Sequence, residues 1–297
     1  MELLQLKYFQ VAAKTQNFSK AAEELNISQP SLSMTIAHLE DELNAKLFER
    51  KGRNIVINEN GTAFLARVNA IFLEVENAKN QITEINGRQS KRISLATTSP
   101  RLLTGVLKEF LLKYSDVIIN QKCETLENIE KRLQAGDIDF GLTVPAIRRD
   151  NIECKILKND EVVLIVPESH PYANKKSINL MEAANDSFIA LDNSYNFRKI
   201  SDSVCISAGF TPNVEFEVDD GLMNDMLSLQ RGIALLPKYL IERPHIGKSH
   251  LKMLKIDSPD PQIQIGLSWH KQRYFSHETK TFRDFLIEYY RLPVSST

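Results

Sequence analysis

Residues 18–39 limit what this chain can fold into more than any other stretch, because two short helical periods meet there at one tight break. The break falls at Asn26, and apolar residues recur every three or four positions on either side of it. The apolar positions are Ala21, Ala22, Leu25, Leu32, Ile36 and Leu39. The pattern predicts a helix-turn-helix, with Ser19 capping the first helix, Ser28 capping the second and Pro30 in its first turn.

The second of these helices has short polar side chains outside its apolar stripe, which is typical of a helix that contacts base edges and phosphates in a DNA major groove. The candidate DNA-contacting residues are Ser28, Gln29, Pro30, Ser31, Ser33, Met34, Thr35 and His38. Helix pairs of this kind also occur in helical proteins that bind no DNA. The residues that follow therefore decide between the two interpretations.

A short basic loop follows, between brief apolar runs at 46–48 and 54–57, and this arrangement predicts a wing. Arg50, Lys51 and Arg53 are the candidate phosphate contacts in it. The formal net charge of the chain is −1, so no overall positive field attracts nucleic acid. DNA affinity therefore has to come from the local placement of these basic side chains.

Two further helices are predicted around this motif. Residues 3–15 place apolar side chains at helical spacing and complete a three-helix head. Residues 61–88 repeat apolar positions at intervals of four and three, the heptad pattern of a coiled coil. The positions of this seam are Phe64, Val68, Ile71, Val75, Ala78, Ile82 and Ile85. A helix of about 45 Å is too long to dock on one small head, so self-association is predicted, followed by a polar hinge at 87–91.

From Arg92 onward short strands alternate with helices, which predicts parallel sheets with crossover helices. The predicted strands are 93–97, 117–123, 138–144, 152–157, 161–171, 188–191, 214–218, 233–236 and 263–270. The predicted helices are 102–114, 126–135, 180–184, 197–208, 222–229 and 276–290. Two crossovers between two α/β units resemble the periplasmic-binding-protein type of fold, which implies a cleft between two lobes.

The chain resembles the LysR-type transcriptional regulators through four segments, AAEELNISQPSLS, HLEDEL, LFERKGR and NENG, the last of which opens the long helix. The resemblance extends in outline over the whole chain. It implies a multi-domain α + α/β protein: a winged helix-turn-helix DNA-binding domain in 1–60, a dimerising linker helix and hinge in 61–90, and an effector-binding domain in 91–297.

The effector-binding domain is expected to be a two-lobed α/β domain of the type 2 periplasmic-binding-protein kind. Its first lobe is predicted at 91–162 and 269–297, and its second lobe at 163–268. The chain departs from the family at Met34 and His38, where many members have a long basic or amide residue. Methionine cannot donate a hydrogen bond to guanine, so the departure affects base preference rather than groove docking.

In open parallel sheets ligands bind where a strand gives way to a helix. Residues 97–103 are the first such place: Ser99 is expected to cap a helix, Thr98 and Ser99 to face an anionic ligand, and Arg101 to pair with a carboxylate. A plain cap with a solvated arginine is the alternative. The second lobe offers Asp219 and Asp220, which either cap a helix or face the cleft, where an acid favours a ligand with an amine.

The remaining effector-site candidates are implied by position in the family's second polar cluster or at the floor of the cleft. With the residues already given, the set is Thr98, Ser99, Arg101, Leu126, Thr143, Asn193, Ser194, Tyr195 and Asp219. The ligand is expected to be a small polar or anionic metabolite. Around Asn193 the alternative is an ordinary turn and cap.

The resemblance implies a cytoplasmic homodimer or homotetramer that binds double-stranded promoter DNA and responds to this effector, with RNA polymerase as a further partner. Enzymatic, metal-binding and membrane functions have no sequence support, because GxSxG, GxxxxGK, GxGxxG, HExxH and long apolar runs are all absent. Two alternatives stay open. One is a small-molecule-binding protein of periplasmic-binding-protein fold without regulatory DNA binding, and the other is a redox-sensing regulator that uses Cys205.

Overall fold

The computed structural model describes residues 1–51, 54–86, 91–242 and 250–291. It divides into two compact units: one contains the N-terminal part of the chain with the short segments Gln134–Asp137 and Gln272–Tyr274, and the other contains the remainder. Among the helices of the described ranges, none is both long enough and apolar enough to cross a membrane.

The first unit consists of three short helices, a two-stranded hairpin and one long helix. These are α1 (Leu3–Thr15), α2 (Phe18–Leu25), α3 (Gln29–Leu43), β1 (Phe48–Lys51), β2 (Asn54–Ile57) and α4 (Glu59–Ile85). Phe9 is fully buried, and its ring centroid lies 5.6 Å from that of Phe48 in the hairpin and 5.1 Å from that of Phe64 in α4. One core therefore joins the helices, the hairpin and the start of the long helix.

The helix-turn-helix forms as predicted, but one of its caps differs. Asn17, not Ser19, is the N-cap of α2, because its side chain accepts the backbone N–H of Lys20 at 3.1 Å. The prediction for Ser28 is confirmed, since its hydroxyl accepts the backbone N–H of Ser31 at 3.3 Å. The turn between the helices is made by Asn26 in the left-handed conformation, with a φ of 54°.

Helix α4 begins two residues before the predicted start, where Asn58 caps it by accepting the backbone N–H of Gly61 at 2.8 Å. Gly61 packs so closely on the preceding chain that a Cβ at this position would lie 2.2 Å from the carbonyl oxygen of Leu47. The Asn-Glu-Asn-Gly sequence therefore supplies both the cap and the close approach that fix the direction of α4.

The second unit alternates strands with helices. Its strands are β3 (Arg92–Thr97), β4 (Ile118–Cys123), β5 (Phe140–Thr143), β6 (Ile152–Pro167), β7 (Ser177–Asn179), β8 (Ser187–Leu191), β9 (Asn213–Val218), β10 (Ala234–Pro237), β11 (Leu251–Ser258) and β12 (Gln262–His270). Its helices are α5 (Val106–Lys113), α6 (Leu126–Ala135), α7 (Asn196–Ser207), α8 (Met223–Ser228), α9 (Lys238–Glu242) and α10 (His277–Arg291).

Strand β6 links two lobes of this unit. Its first part, through Glu161, pairs with β12, and its last part, from Val162, pairs with β10 and β11. We call β3–β5, β12, α5, α6 and α10 the first lobe, and β7–β11 with α7–α9 the second lobe. Strands β3, β4 and β5 are parallel, and β8 is parallel to β9, as the alternation of strands and helices predicts.

Two predicted boundaries were wrong. The predicted helix 102–114 is a 3-10 turn at Pro100–Leu103 followed by α5 from Val106. Gly105 separates them with a φ of 82°, a conformation that favours glycine and ends regular helix. The predicted strands 152–157 and 161–171 are one strand, β6, because its polar middle pairs with β12 as it passes between the lobes.

Candidate functional site

Helix α3 buries one face and exposes the other. Leu32, Ile36 and Leu39 are buried in the core of the first unit. The DNA-contacting candidates all lie on exposed or half-buried positions, namely Ser28, Gln29, Pro30, Ser31, Ser33, Met34, Thr35 and His38. Since the apolar face is held in the core, the direction of the polar face is fixed without any ligand.

Hydrogen bonds within α3 restrict which of these groups remain available. The amide nitrogen of Gln29 donates to the hydroxyl of Ser33 at 2.8 Å, and the hydroxyl of Thr35 donates to the carbonyl of Ser31 at 2.9 Å. Gln29 keeps its amide oxygen and a second N–H for a base edge. Met34 is 62% exposed and adds an apolar surface in the middle of this polar face.

The hairpin β1–β2 occupies the position predicted for the wing, and Phe48 pairs with Ile57 across it. Arg50 and Lys51 belong to β1, while Arg53 lies outside the described residues. At the base of the hairpin the buried carboxylate of Glu40 lies 2.8 Å from Nζ of Lys46. No sequence pattern indicated this role for Glu40, since it lies in a run of ordinary helix-surface acids.

The predicted seam of α4 divides into two parts. Phe64 packs on Phe9, and Val68 is fully buried in the core of the first unit. Beyond Val68 the seam is open to solvent: Ile71 is 38% exposed, Ile82 is 58% exposed and Ile85 is 71% exposed. The exposed or half-buried members of the predicted seam beyond Val68 are Ile71, Val75, Ala78, Ile82 and Ile85.

In the second unit, polar side chains of the two lobes meet beyond the end of β3. Nε of Arg101, in the first lobe, lies 2.9 Å from Oδ1 of Asp220, in the second lobe, and the arginine also donates through Nη2 to the backbone carbonyl of Asp220. The hydroxyl of Ser99 donates to Oδ2 of the same carboxylate at 3.4 Å. The side chains of Arg101 and Asp220 are 21% and 10% exposed, so this ion pair is largely shielded from water.

Ser99 also accepts the backbone N–H of Arg101 at 3.3 Å, so its oxygen caps the 3-10 turn while its proton points to Asp220. Thr98 is buried, and its hydroxyl accepts the backbone N–H of Val144 at 3.0 Å. Thr143 is buried as well, and its hydroxyl donates to the carbonyl of Pro145 at 2.8 Å. Both threonine hydroxyls thus hold the segment that follows β5.

Tyr195, the N-cap residue of α7 in the second lobe, contacts the segment that follows β9. Its hydroxyl donates to the carboxylate of the exposed Asp219 at 3.2 Å, and burial is the main cause that raises the pKa of this phenol. Asn193 and Ser194 are exposed; the amide of Asn193 donates to Glu217 at 3.3 Å. Neither Asp219 nor Asp220 caps α8, whose N-cap residue is Leu222 without a side-chain hydrogen bond.

Two cavities lie along the boundary between the lobes. The one beside the Arg101–Asp220 pair has a volume of only about 20 Å³, and its lining is Thr98, Ser99, Val144, Leu191, Tyr195, Phe197, Asp220, Pro237 and Tyr239. A wider groove of about 630 Å³ lies between α6 and α7, with Leu126, Pro145, Asn196 and Lys199 among its lining residues. Two chain segments pass between the cavities. Val144, Tyr195 and Phe197 line the small cavity, and their neighbours Pro145 and Asn196 line the wide groove.

The role of Asp220 in the contact between the lobes was not evident from the sequence. The sequence offers Asp219 and Asp220 as acids near the cleft, and the candidate set contains only Asp219. The structure places Asp220 against Ser99 and Arg101 and leaves Asp219 exposed. The two aspartates are adjacent, and only the direction of the chain after β9 decides which one faces the first lobe. The sequence contains no local signal for that choice.

Cys205 lies in α7 and is 1% exposed. Burial, with a smaller contribution from the charge of Asp202, raises the pKa of its thiol to about 12. Cys123 is exposed, and burial of its sulfur followed by the charge of Asp220 raises the pKa of that thiol as well. A thiol with a raised pKa has little thiolate at neutral pH and reacts slowly with oxidants.

Comparison with known proteins identifies both parts of the chain. Residues 3–62 match the bacterial regulatory helix-turn-helix protein of the lysR family, and residues 86–291 match the LysR substrate binding domain. The chain is 31% identical to the uncharacterized HTH-type transcriptional regulator YybE of Bacillus subtilis, over 98% of this chain and 99% of that protein. It is also 31% identical to the transcriptional dual regulator GltC of Bacillus subtilis, over 98% of each chain.

Among solved structures, full-length OxyR from Pseudomonas aeruginosa superposes with a TM-score of 0.67 at 19% sequence identity, covering 99% of this chain and 96% of that one. At this identity the similarity concerns the fold. It extends over both the helix-turn-helix part and the α/β part.

Proposed function

This chain belongs to the LysR family of bacterial transcriptional regulators, with a helix-turn-helix domain followed by a substrate-binding domain, and we propose that it binds promoter DNA through α3 and the β1–β2 hairpin as an oligomer controlled by a small effector. The members of this family are DNA-binding transcription factors and not enzymes.

The observation that carries the DNA-binding proposal is the solvent face of α3. Gln29, Ser31, Met34 and His38 are exposed on it, while the opposite face is held in the core. A rigid helix with side chains of this size fits the major groove, where donors and acceptors of each base pair differ. The hairpin adds basic residues at the position where the groove edge presents phosphates.

Self-association through α4 is supported by its exposed apolar residues. Ile71, Ile82 and Ile85 belong to the same heptad seam and are 38%, 58% and 71% exposed. A second copy of the same helix would cover them. Two heads held by a pair of α4 helices would read an inverted repeat with half-sites about one helical turn apart. Leu112 and Ile118, exposed in the first lobe, offer a second apolar surface for assembly beyond a dimer.

Effector binding is proposed at the boundary of the lobes, where Ser99 and Arg101 contact the carboxylate of Asp220 and Tyr195 lines the small cavity beside them. A ligand there would contact both lobes, so its binding energy would depend on the angle between them. A change of that angle would alter how the effector domains of an oligomer pack, and with it the spacing of the heads.

The DNA-binding proposal is tested with a gel shift on DNA from the neighbourhood of the protein's own gene. Ser31→Glu places a carboxylate on the groove-facing side of α3 and should abolish binding. Ser207→Glu adds the same charge at an exposed site of α7 and should leave binding unchanged. Arg50→Ala and Arg53→Ala should each lower the salt dependence of the affinity by about one unit of slope per lost phosphate contact.

If the chain is instead a small-molecule-binding protein without DNA binding, no gel shift is expected. Redox sensing through Cys205 is disfavoured by the buried position and the raised pKa of that thiol.

A further inference from the structure

We propose that the effector is a zwitterion such as an α-amino acid, whose carboxylate replaces Asp220 on Ser99 and Arg101 and whose ammonium group replaces Arg101 on Asp220. This inference rests on the proposed effector site and specifies the chemistry of its ligand.

The carboxylate of Asp220 is itself the first indication of what the site prefers. It lies 2.9 Å from Nε of Arg101 and within 3.4 Å of the Ser99 hydroxyl. A planar guanidinium and a hydroxyl donor around one carboxylate form an anion site. In this structure the anion is supplied by the opposite lobe of the same chain, so any incoming carboxylate has to compete with Asp220.

The charges of the pair restrict the ligand further. A simple anion would take Arg101 and leave the carboxylate of Asp220 without a partner in a site where it is only 10% exposed. A simple amine would pair with Asp220 and leave the guanidinium of Arg101 without a partner. Leaving one member of a shielded ion pair without its partner is strongly unfavourable, whereas separating both members onto complementary charges is not. A zwitterion satisfies both residues.

The size of the cavity couples this exchange to a movement of the lobes. The cavity beside the pair measures about 20 Å³, which is room for about one water molecule and not for an amino acid. Arg101 and Asp220 belong to different lobes, so a ligand inserted between them has to hold the lobes farther apart than their direct contact does. The Arg101–Asp220 ion pair thereby keeps the cleft closed in the absence of ligand, and a bound zwitterion keeps the lobes farther apart.

The test uses the purified full-length protein and the standard L-amino acids, with melting temperature as the first measurement and calorimetry as the second. At least one amino acid should raise the melting temperature. Its N-acetyl derivative lacks the ammonium charge and its amide derivative lacks the carboxylate, and each should bind about 100-fold more weakly or worse, because each leaves one buried charge unpaired.

Two variants reverse that selectivity if the assignment is right. Asp220→Asn should prefer the N-acetyl derivative over the parent amino acid, and Arg101→Gln should prefer the amide derivative. The matched controls are Arg231→Gln and Glu215→Gln, which remove the charges of an exposed ion pair in the same unit and should bind as the natural protein does. If either single variant fails to fold, the comparison of the three ligand forms on the natural protein decides.

The inference is overturned if no amino acid raises the melting temperature, if both derivatives bind as well as their parent, or if the variants lose binding without reversing selectivity. Its failure is separable from that of the proposed function. A protein that shifts promoter DNA but binds no amino acid contradicts only the zwitterion assignment, whereas one that binds an amino acid but no DNA contradicts only the regulatory proposal.

Discussion

Oε1 of Glu40 accepts the backbone N–H of Leu47 at 2.8 Å, so the buried carboxylate of α3 holds the first residue of the segment that becomes the hairpin. The same oxygen lies 3.4 Å from the backbone nitrogen of Phe48. Glu40 is 8% exposed and Leu47 is 1% exposed. Helix α3 and the hairpin beside it are thereby fixed to each other through one side chain.

Replacing Glu40 with alanine should loosen the hairpin. The amide of Leu47 would lose its acceptor in a buried place, and its local opening free energy should fall by on the order of 2 kcal/mol. Amide hydrogen exchange at Leu47 should accelerate, and DNA affinity should decrease. Glu42→Ala is the matched control, because Glu42 is exposed and pairs with the N-terminal amine. Unchanged exchange at Leu47 in the Glu40 variant would contradict this role.

The exposed seam of α4 gives a second prediction. Ile71→Asp combined with Ile82→Asp should give a monomer that retains its melting temperature, because both positions are open to solvent within one chain and only the paired state would bury the charges. Sedimentation measures the change. Ala70→Asp, at an exposed neighbouring position, should leave the oligomer intact. An intact oligomer in the double variant would place the interface elsewhere.

Met34 predicts a preference for thymine. Its exposed thioether side chain has no hydrogen-bond donor, and the feature of the major groove that it complements is the thymine methyl group. Substituting deoxyuridine for thymine, one position at a time, should weaken binding at one base by roughly fourfold, the equivalent of about 0.8 kcal/mol per methyl-sized group. The Met34→Ala protein should not sense that substitution. Equal sensitivity of both proteins at every thymine would exclude the contact.

The first unit could be predicted closely from the sequence because its determinants are local. The cap by Ser28, the turn at Asn26 and the start of α4 each depend on residues within four positions of one another. The cap of α2 is the exception: Asn17 is used, because its backbone is extended just before the helix, while Ser19 lies inside the first turn.

The proposed effector site was less predictable because its geometry depends on contacts between distant residues. Arg101 and Asp220 are 119 positions apart, and their contact depends on the path of β6 and β12 between the lobes. The polar middle of β6 looked like a break between strands. It continues because Asp160, buried there, accepts the backbone N–H of Tyr239 at 3.0 Å, a partner that no pattern within β6 could indicate.

The contribution of Cys205 to stability should depend on pH only above pH 9.0, the pKa of an unperturbed thiol. Burial raises the pKa of its thiol from 9.0 to about 12, so above pH 9 the unfolded chain loses this proton while the folded chain keeps it. The contribution of the neutral thiol is therefore complete below pH 9 and is lost as the pH rises toward 12. The difference in melting temperature between the natural protein and Cys205→Ala should shrink over that interval. Rapid alkylation of Cys205 by iodoacetamide in the folded protein would contradict its assignment as a buried neutral thiol.

Substitutions at Ser99 test whether Asp220 holds the two lobes together or whether Ser99 only caps the 3-10 turn. As a cap alone, Ser99→Ala should cost about 1 kcal/mol and Ser99→Asp should be tolerated, because aspartate caps as well as serine does. The Ser99 hydroxyl, however, lies 3.4 Å from a carboxylate oxygen of Asp220. Aspartate at position 99 would place two carboxylates side by side, where like charges disfavour each other. We therefore expect Ser99→Asp to lower the melting temperature more than Ser99→Ala and to enlarge the radius of gyration measured by X-ray scattering.

A second substitution, Asp220→Asn, tests whether the carboxylate of Asp220 causes the loss of stability in Ser99→Asp. In the double variant Ser99→Asp with Asp220→Asn, the aspartate at position 99 faces an amide and not a second carboxylate, and it provides Arg101 with a new partner from its own lobe. Stability should return toward that of the natural protein, giving a favourable interaction energy between the two substitutions in a double-mutant cycle. DNA binding should persist in the two single variants and in the double variant, because the helix-turn-helix part has its own core. Additive losses in the double variant would show that Ser99 stabilises only the 3-10 turn and that the lobes are held closed by other contacts.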